Sequence, residues 1–358
     1  MSRQVKCGSV LIGGGAPISI QSMTNTDTRD ACATAAQIHA LADAGCDIVR
    51  CAIPDLQAAE AIRTIKQQLQ NRGVSIPIVA DIHFDYRLAI AAIENGADKI
   101  RINPGNIGGI DRVSAVVTKA RAAKIPIRIG VNSGSLEKDL IEEFGRTPDA
   151  LAQSALRWTE KIQKMGFADI VISVKSSDVR ETVTVGRALS RATDCPLHLG
   201  VTEAGVGERA LIKSAVGIGA LLLDGIGDTI RVSLTGDPIN EVAAARSILS
   251  GVGLLPGAID IISCPTCGRC RVDLPRITAE VAAKTAVLEK ARIESGIRDI
   301  LTVAIMGCAV NGPGEAAHAD LGVACGDGRA VFFRKGKIEE NVSETEIISL
   351  ILREISQC

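Results

Sequence analysis

The sequence predicts an α/β chain: a TIM (β/α)8 barrel over residues 1–255 that binds substrate, followed by a small α+β domain over 256–358. Three observations predict it. Short β-branched runs alternate with helix-length segments eight times between residue 18 and about 250, and parallel βα units in that number and length close into a barrel. Each run exits into polar residues on the same side, as strands feeding a shared rim do. After Gly-Val-Gly-Leu-Leu-Pro-Gly, ending at Gly257, the alternation stops and a cysteine-bearing pattern begins. A doubly wound open sheet is the alternative, and the count of eight favours closure.

The strands, in order, are Ile18-Ser-Ile-Gln-Ser, Asp47-Ile-Val-Arg-Cys, Pro77-Ile-Val-Ala-Asp-Ile-His, Lys99-Ile-Arg-Ile-Asn, Pro126-Ile-Arg-Ile-Gly-Val-Asn, Ile170-Val-Ile-Ser-Val-Lys, Leu197-His-Leu-Gly-Val-Thr-Glu and Thr229-Ile-Arg-Val-Ser-Leu. Helices are expected over segments such as 30–44, 56–71, 149–165 and 240–250. The sequences Ala-Gly-Cys-Asp, Asn-Gly-Ala-Asp and Met-Gly-Phe-Ala-Asp mark helix ends ahead of the next strand, because glycine takes the left-handed position that closes a helix. In the second domain, strand 259–262 leads into the first cysteines and helix 277–295 follows. Strand 301–305 then enters Gly-Cys-Ala-Val-Asn-Gly-Pro-Gly-Glu, and three strands near 319–324, 330–333 and 337–340 precede a helix from Ser343.

A net charge of −1 provides no global field for nucleic acid, so anion binding must come from locally focused Arg and Lys. Aromatics at 2% leave no stacking platform for bases. No run reaches the roughly 20 apolar residues of a membrane span, and Met-Ser-Arg-Gln-Val-Lys-Cys does not read as a secretory leader. The expectation is a cytoplasmic, reducing setting in which clustered cysteines are metal or redox ligands. The scattered ones, Cys7, Cys32, Cys46, Cys51 and Cys195, are expected to be small core residues.

The strand exits carry Asp81 and His83, Arg101 and Asn103, Arg128 and Asn132, Lys175, His198 and Glu203, and Arg231 and Ser233. On a barrel these converge at the catalytic face. So many cations suit a substrate with at least two negative groups, a diphosphate being the natural choice, since charge-assisted bonds to phosphate contribute about 1.5 to 3 kcal/mol each. The competing reading, ion pairs on a solvated face, fits one such residue better than the whole alternating set.

Cys264, Cys267 and Cys270 stand at two-residue spacing, and Cys308 lies downstream with Glu315 seven residues after it. Thiolates on Pro and Gly turns suit an iron–sulfur cluster or zinc. A carboxylate beside them is a hard, weakly held ligand that marks an exchangeable position. The linker raises a second point. The last barrel helix runs away from the rim, and about 8 residues reach at most about 27 Å when fully extended. A two-fold, head-to-tail homodimer would place each small domain over its partner's rim.

These motifs resemble the 4-hydroxy-3-methylbut-2-enyl diphosphate synthase family (IspG/GcpE), in its bacterial two-domain form. The resemblance rests on Gln21-Ser-Met-Thr-Asn-Thr, Ala80-Asp-Ile-His-Phe-Asp-Tyr-Arg, Arg101-Ile-Asn-Pro-Gly-Asn-Ile-Gly, Ile127-Arg-Ile-Gly-Val-Asn-Ser-Gly-Ser-Leu-Glu-Lys, Leu197-His-Leu-Gly-Val-Thr-Glu-Ala-Gly, Ser263-Cys-Pro-Thr-Cys-Gly-Arg and Gly307-Cys-Ala-Val-Asn-Gly-Pro-Gly-Glu-Ala. It implies a [4Fe–4S] oxidoreductase of non-mevalonate isoprenoid synthesis, with 256–358 as the cluster-binding domain. The reaction would reductively open 2-C-methyl-D-erythritol 2,4-cyclodiphosphate, using two electrons from reduced flavodoxin or ferredoxin. It further implies Cys264, Cys267, Cys308 and Glu315 as cluster ligands, and Arg50, Asp81, His83, Arg101, Asn103, Arg128, Asn132, Lys175, Arg231 and Ser233 around the substrate. Glu203 would be a proton donor and Glu315 the labile ligand.

Spacing alone would choose Cys270 as third ligand, whereas the resemblance makes it a bystander, and Cys325 raises the same question. A radical S-adenosylmethionine enzyme is the nearest alternative catalyst, but its cysteines precede or open the barrel rather than follow it. A zinc-stabilised binding module on a catalytically silent barrel is the alternative from another class.

Overall fold

The computed structural model describes residues 1–358 apart from 133, 135, 309–313, 315, 317 and 327, and apart from the side chain of 286. Glu315 and most of the Asn-Gly-Pro-Gly-Glu turn therefore lie outside the described residues. The chain divides into two compact units, Met1–Val252 and Gly253–Cys358.

The first unit opens with an antiparallel hairpin, β1 (Val5–Cys7) and β2 (Val10–Ile12). Eight βα steps follow: β3 (Ser19–Met23), α1 (Ala31–Asp43), β4 (Ile48–Ala52), α2 (Leu56–Asn71), β5 (Ile78–Ile82), α3 (Tyr86–Glu94), β6 (Lys99–Ile102), α4 (Ile110–Ala123) and β7 (Ile127–Val131), then α5 (Lys138–Phe144) with α6 (Pro148–Lys164), β8 (Ile170–Val174), α7 (Val179–Ala192), β9 (His198–Leu199), α8 (Gly207–Leu223), β10 (Thr229–Ile230) and α9 (Pro238–Gly251). The strands form one parallel sheet in the order β8-β7-β6-β5-β4-β3-β10-β9. A parallel bridge between Ile172 and Leu197 joins its two edges, with Ile172 N donating to Pro196 O at 2.9 Å. The barrel closes, as the eight alternations predict.

Local chemistry explains the punctuation. Asp30, Asp55, Asp85, Asp178 and Asp237 cap α1, α2, α3, α7 and α9 through their carboxylates, satisfying amides that have no partner in the helix. Gly45 ends the turn after α1 at φ +94°, a left-handed conformation that a side chain resists. The aspartate two residues after such glycines pins the preceding strand. Asp47 accepts from Ile20 N at 2.7 Å and Asp98 from Ile78 N at 2.9 Å.

Three details differ from the sequence reading. Strands β9 and β10 keep only two residues each, because the chain leaves the ladder at Gly200, where a Cβ would stand 2.4 Å from Arg231 O and 2.7 Å from Lys175 Nζ. The hairpin was not anticipated. It packs Val5, Cys7 and Ile12 against Ile48, Val79 and Val171, sealing the amino-terminal end of the barrel, and each such buried side chain contributes about 1.5 to 3 kcal/mol. Cys7, Cys46, Cys51 and Cys195 are buried as expected, but Cys32 is exposed, because the buried stripe of α1 runs through Thr34, Ala35, Ile38 and Leu41.

The second unit holds a five-stranded sheet, β11 (Ile259–Ser263), β12 (Leu301–Met306), β13 (Leu321–Cys325), β14 (Arg329–Arg334) and β15 (Lys337–Ser343), in that order. The first three strands run parallel and the last two antiparallel. Helices α10 (Leu274–Glu294) and α11 (Ile347–Ser356) cover one face. There Leu301, Val303 and Ile305 meet Ile277, Val281 and Leu350, the period-two side of a strand against the stripe of a helix. Among the described residues, no helix is long and apolar enough to cross a membrane.

Candidate active site

Register brings the rim residues together. Asp81, Arg101 and Arg128 are direct neighbours across β5, β6 and β7, so their side chains leave one row of the barrel on the same face. Above them lies a cavity of about 200 Å³ lined by Arg50, Asp81, His83, Arg101, Arg128, Asn132, Lys175, Arg231 and Ser233, together with Gly130, Val131, Ser173 and Thr202. Nine of the ten residues expected around the substrate therefore share one pocket. The tenth, Asn103, is 1% exposed and accepts from Gly105 N at 3.2 Å, shaping the turn after β6 instead of lining the cavity.

Five cations and one carboxylate line this space. Arg101 Nη1 donates to Asp81 Oδ1 at 3.1 Å and meets His83 Nε2 at 3.1 Å, and Arg50 Nε lies 3.8 Å from Asp81 Oδ2. Burial opposes the Asp81 charge, yet Arg50, His83, Arg101 and Arg128 together hold its carboxyl well below the usual range. Three of the cations show the reverse strain. Burial, reinforced by the other cations, lowers Arg50 to about 10 and pulls Arg128 and Lys175 well below their ordinary values. A site that disfavours its own positive charge is one that gains from an incoming anion. Gly130 makes room for the Arg101 guanidinium: a Cβ there would sit 2.5 Å from Arg101 Nε.

His198 and Glu203 stand elsewhere. His198 is 1% exposed in the barrel interior, with both ring nitrogens unpartnered, and the surrounding burial and cations push its pKa well down. Glu203 lies exposed on the loop after β9 at φ +52°, outside the lining of the cavity. The sequence reading missed Glu241. This residue of the first turn of α9 is 3% exposed and accepts from Arg231, from Ser22 Oγ at 3.0 Å and from Leu234 N at 3.1 Å. Nothing in Pro-Ile-Asn-Glu distinguishes it from an acidic residue complementing the helix dipole.

The cysteines gather at one end of the second unit. Cys264 follows β11 and Cys308 follows β12, and these strands are parallel neighbours, with Ser263 opposite Ile305. Cys264 Sγ accepts from Gly307 N at 3.3 Å, and Arg271 N donates to Gly307 O at 3.0 Å. A Cβ on Gly307 would stand 2.5 Å from Cys270 Sγ, so any larger residue there would displace that thiol. Cys267 is exposed on the turn, and hydrogen bonds from Arg269 lower its thiol. Cys325, at the end of β13, is fully buried, and burial together with Cys270, Glu344, Cys264 and Cys308 pushes it up to about 12. Among the described residues, no three His, Cys, Asp or Glu side chains are drawn into a metal-holding arrangement. The donor chemistry nevertheless fits an iron–sulfur cluster, because soft thiols from adjacent strand ends and one exposed turn share a single edge.

A family model described as the GcpE TIM-barrel domain matches residues 2–246, and one described as the GcpE protein C-terminal domain matches 260–357. The chain belongs to the GcpE family. Two curated members of high similarity carry the name 4-hydroxy-3-methylbut-2-en-1-yl diphosphate synthase (flavodoxin). The one from Caldanaerobacter subterraneus subsp. tengcongensis is 52% identical, covering 100% of this chain and 97% of that protein. The one from Clostridium perfringens is 51% identical, covering 98% and 97%. Among solved structures, 7,8-dihydropteroate synthase from Vibrio fischeri ES114 superposes with a TM-score of 0.50 at 12% identity, covering 71% of this chain and 100% of that one, a likeness of fold alone. Membership of the GcpE family leaves the radical S-adenosylmethionine barrel and the zinc module on a silent barrel without support.

Proposed function

We propose that this chain converts 2-C-methyl-D-erythritol 2,4-cyclodiphosphate to (E)-4-hydroxy-3-methylbut-2-enyl diphosphate in non-mevalonate isoprenoid synthesis, taking two electrons from reduced flavodoxin or ferredoxin. The observation that carries this reading is the cavity itself, with five cations and one carboxylate at the carboxyl end of a barrel, in a chain about half identical over its full length to synthases of that name. Arg50, Arg101, Arg128, Lys175 and Arg231 would hold the diphosphate, with Asn132, His83 and Ser233 orienting it and Asn103 setting the turn after β6. Asp81 fixes the guanidinium of Arg101. As the ring opens, the leaving diphosphate oxygen gains charge, and preorganised cations stabilise that charge without rearranging. The departing hydroxyl leaves as water and needs a proton, the role proposed for Glu203.

A [4Fe–4S] cluster, held by Cys264, Cys267 and Cys308 with Glu315 as fourth ligand, would supply electrons singly when bound. Cys270 and Cys325 are read as neighbours of the cluster. The reading extends to a cytoplasmic, head-to-tail homodimer in which one protomer's cluster domain serves its partner's cavity. Its support is the linker, because only 252–258 separate α9 from β11. An anaerobic assay with the cyclodiphosphate and a chemical reductant tests the activity. The linear allylic diphosphate is the expected product, and unchanged substrate with a fully loaded cluster would refute the reading. Sedimentation showing an active monomer would refute the dimer.

A further inference from the structure

Beneath the rim the barrel interior is polar. Lys99 opens β6 two residues before Arg101, so strand alternation sends both side chains inward, with Lys99 one layer deeper. It is 0% exposed, and its Nζ has no hydrogen-bond partner. Arg128 leaves Nε and Nη1 unpartnered, and Thr229 and Ser19, in register with His198 across β10, leave their hydroxyls so. The titratable and charged groups that act on Lys99 are Cys7 of the hairpin, Arg50 of β4 and Arg128 of β7, and Lys99 in turn acts on His198 of β9. The carboxylates of this region are already engaged, Asp98 by Lys66 and Ile78 N, Asp81 by Arg101 and Glu241 by Arg231. Burial, with Arg128 and Arg50 acting in the same sense and Cys7 against them, lowers Lys99 to about 8.

We propose that Lys99 is a positioning residue that takes up a proton from solvent when a diphosphate fills the rim, matching the charge of the buried interior to its occupant. The step is R–NH2 plus a solvent proton giving R–NH3+, with no other bond changed. An anion held by Arg50 and Arg128 supplies the negative charge that Lys99 otherwise lacks, so the charged amine becomes the stable form. In that state Lys99 adds positive potential under the phosphates, where charge grows as the ring opens. The inference rests on the reading of the rim as a diphosphate site.

Calorimetric titration with inorganic pyrophosphate at pH 8, repeated in buffers of different ionisation heat, tests it. Wild type should take up about half a proton more than Lys99→Met or Lys99→Arg, since a group half charged before binding becomes fully charged. Its affinity should fall about fivefold more between pH 8 and 9 than that of Lys99→Arg, which keeps its charge throughout. If Lys99→Met fails to fold, wild type against Lys99→Arg decides. Equal uptake in wild type and variants would assign the proton to Lys175 or His198 and overturn the proposal. Binding without uptake would overturn it alone, whereas no binding at all would bring down the diphosphate reading with it.

Discussion

Arg231 and Glu241 form a two-pronged pair in which Nη2 donates to Oε1 at 2.9 Å and Nε to Oε2 at 3.3 Å. The carboxylate comes from α9 and the guanidinium from the exit of β10, so the helix behind the barrel aims a cation at the cavity in front of it. Arg231 also donates through Nη1 to Ser233 Oγ at 2.7 Å, which fixes the remaining edge of its fork.

Glu241→Gln keeps the shape but weakens both prongs. Its KM for the cyclodiphosphate should rise about tenfold with a smaller change in kcat, and unfolding should cost about 1 to 3 kcal/mol less, because buried charged bonds are lost. Steady-state kinetics and urea denaturation measure the two effects. An unchanged KM would show that Arg231 does not depend on this carboxylate.

Gly130→Ala puts a methyl 2.5 Å from Arg101 Nε and 2.9 Å from Nη2. Arg101 is held by Asp81 and cannot swing freely, so either the pair or the strand must shift. The expected result is a loss of about 10-fold to 100-fold in kcat/KM, equivalent to one charge-assisted contact. Retention of full activity would mean that Arg101 is not needed where it stands.

Asp81 supplies a pH test of sign. Its folded pKa lies below the unfolded value, so its stabilising contribution is present above about pH 4, the usual unfolded carboxylate range, and is lost as pH falls from there through the depressed value. Asp81→Asn should therefore be less stable than wild type at pH 7 by about 3 kcal/mol, with the gap narrowing progressively below about pH 4. Urea titrations at several pH values would show a constant gap if Asp81 were not the source.

The thiols separate by role. Cys267→Ser should abolish iron and sulfide content in anaerobically reconstituted protein and remove its brown colour, while Cys270→Ser should leave both unchanged. Iron analysis with visible absorption decides, and equal loss in both variants would make Cys270 a ligand.

Gly307→Ala should disturb the segment carrying Cys264 and Cys308, because its methyl would meet Cys270 Sγ at 2.5 Å. Removing that sulfur in a Gly307→Ala, Cys270→Ala double variant should restore the thermal midpoint lost in the single variant. Failure to restore it would place the clash elsewhere.

Much of this molecule is legible along the chain because its signals are local. Alternating β-branched runs mark strands, aspartates cap helices and Gly-x-Asp marks the return to the sheet, so the eightfold count and the polar exits could be read without coordinates. Legibility fails where the decisive partner is remote in sequence. Glu241 looks like an ordinary first-turn acid until Arg231 is seen against it, and the hairpin of β1 and β2 becomes a plug only when Ile48, Val79 and Val171 surround it.

By itself the sequence determined the barrel, the smaller α+β unit, the cluster of polar residues at the strand exits and the cysteines after the strands of the second sheet, since alternating apolar runs and their polar ends are local signals that need no partner to be read. Only the tertiary structure decided that Asp81, Arg101 and Arg128 share one row, that Asn103 and His198 are buried outside the cavity lining and that Lys99 lies buried one layer deeper. Those facts depend on register between strands and on closure of the sheet, which set the depth and charge of each side chain through neighbours that no local pattern specifies.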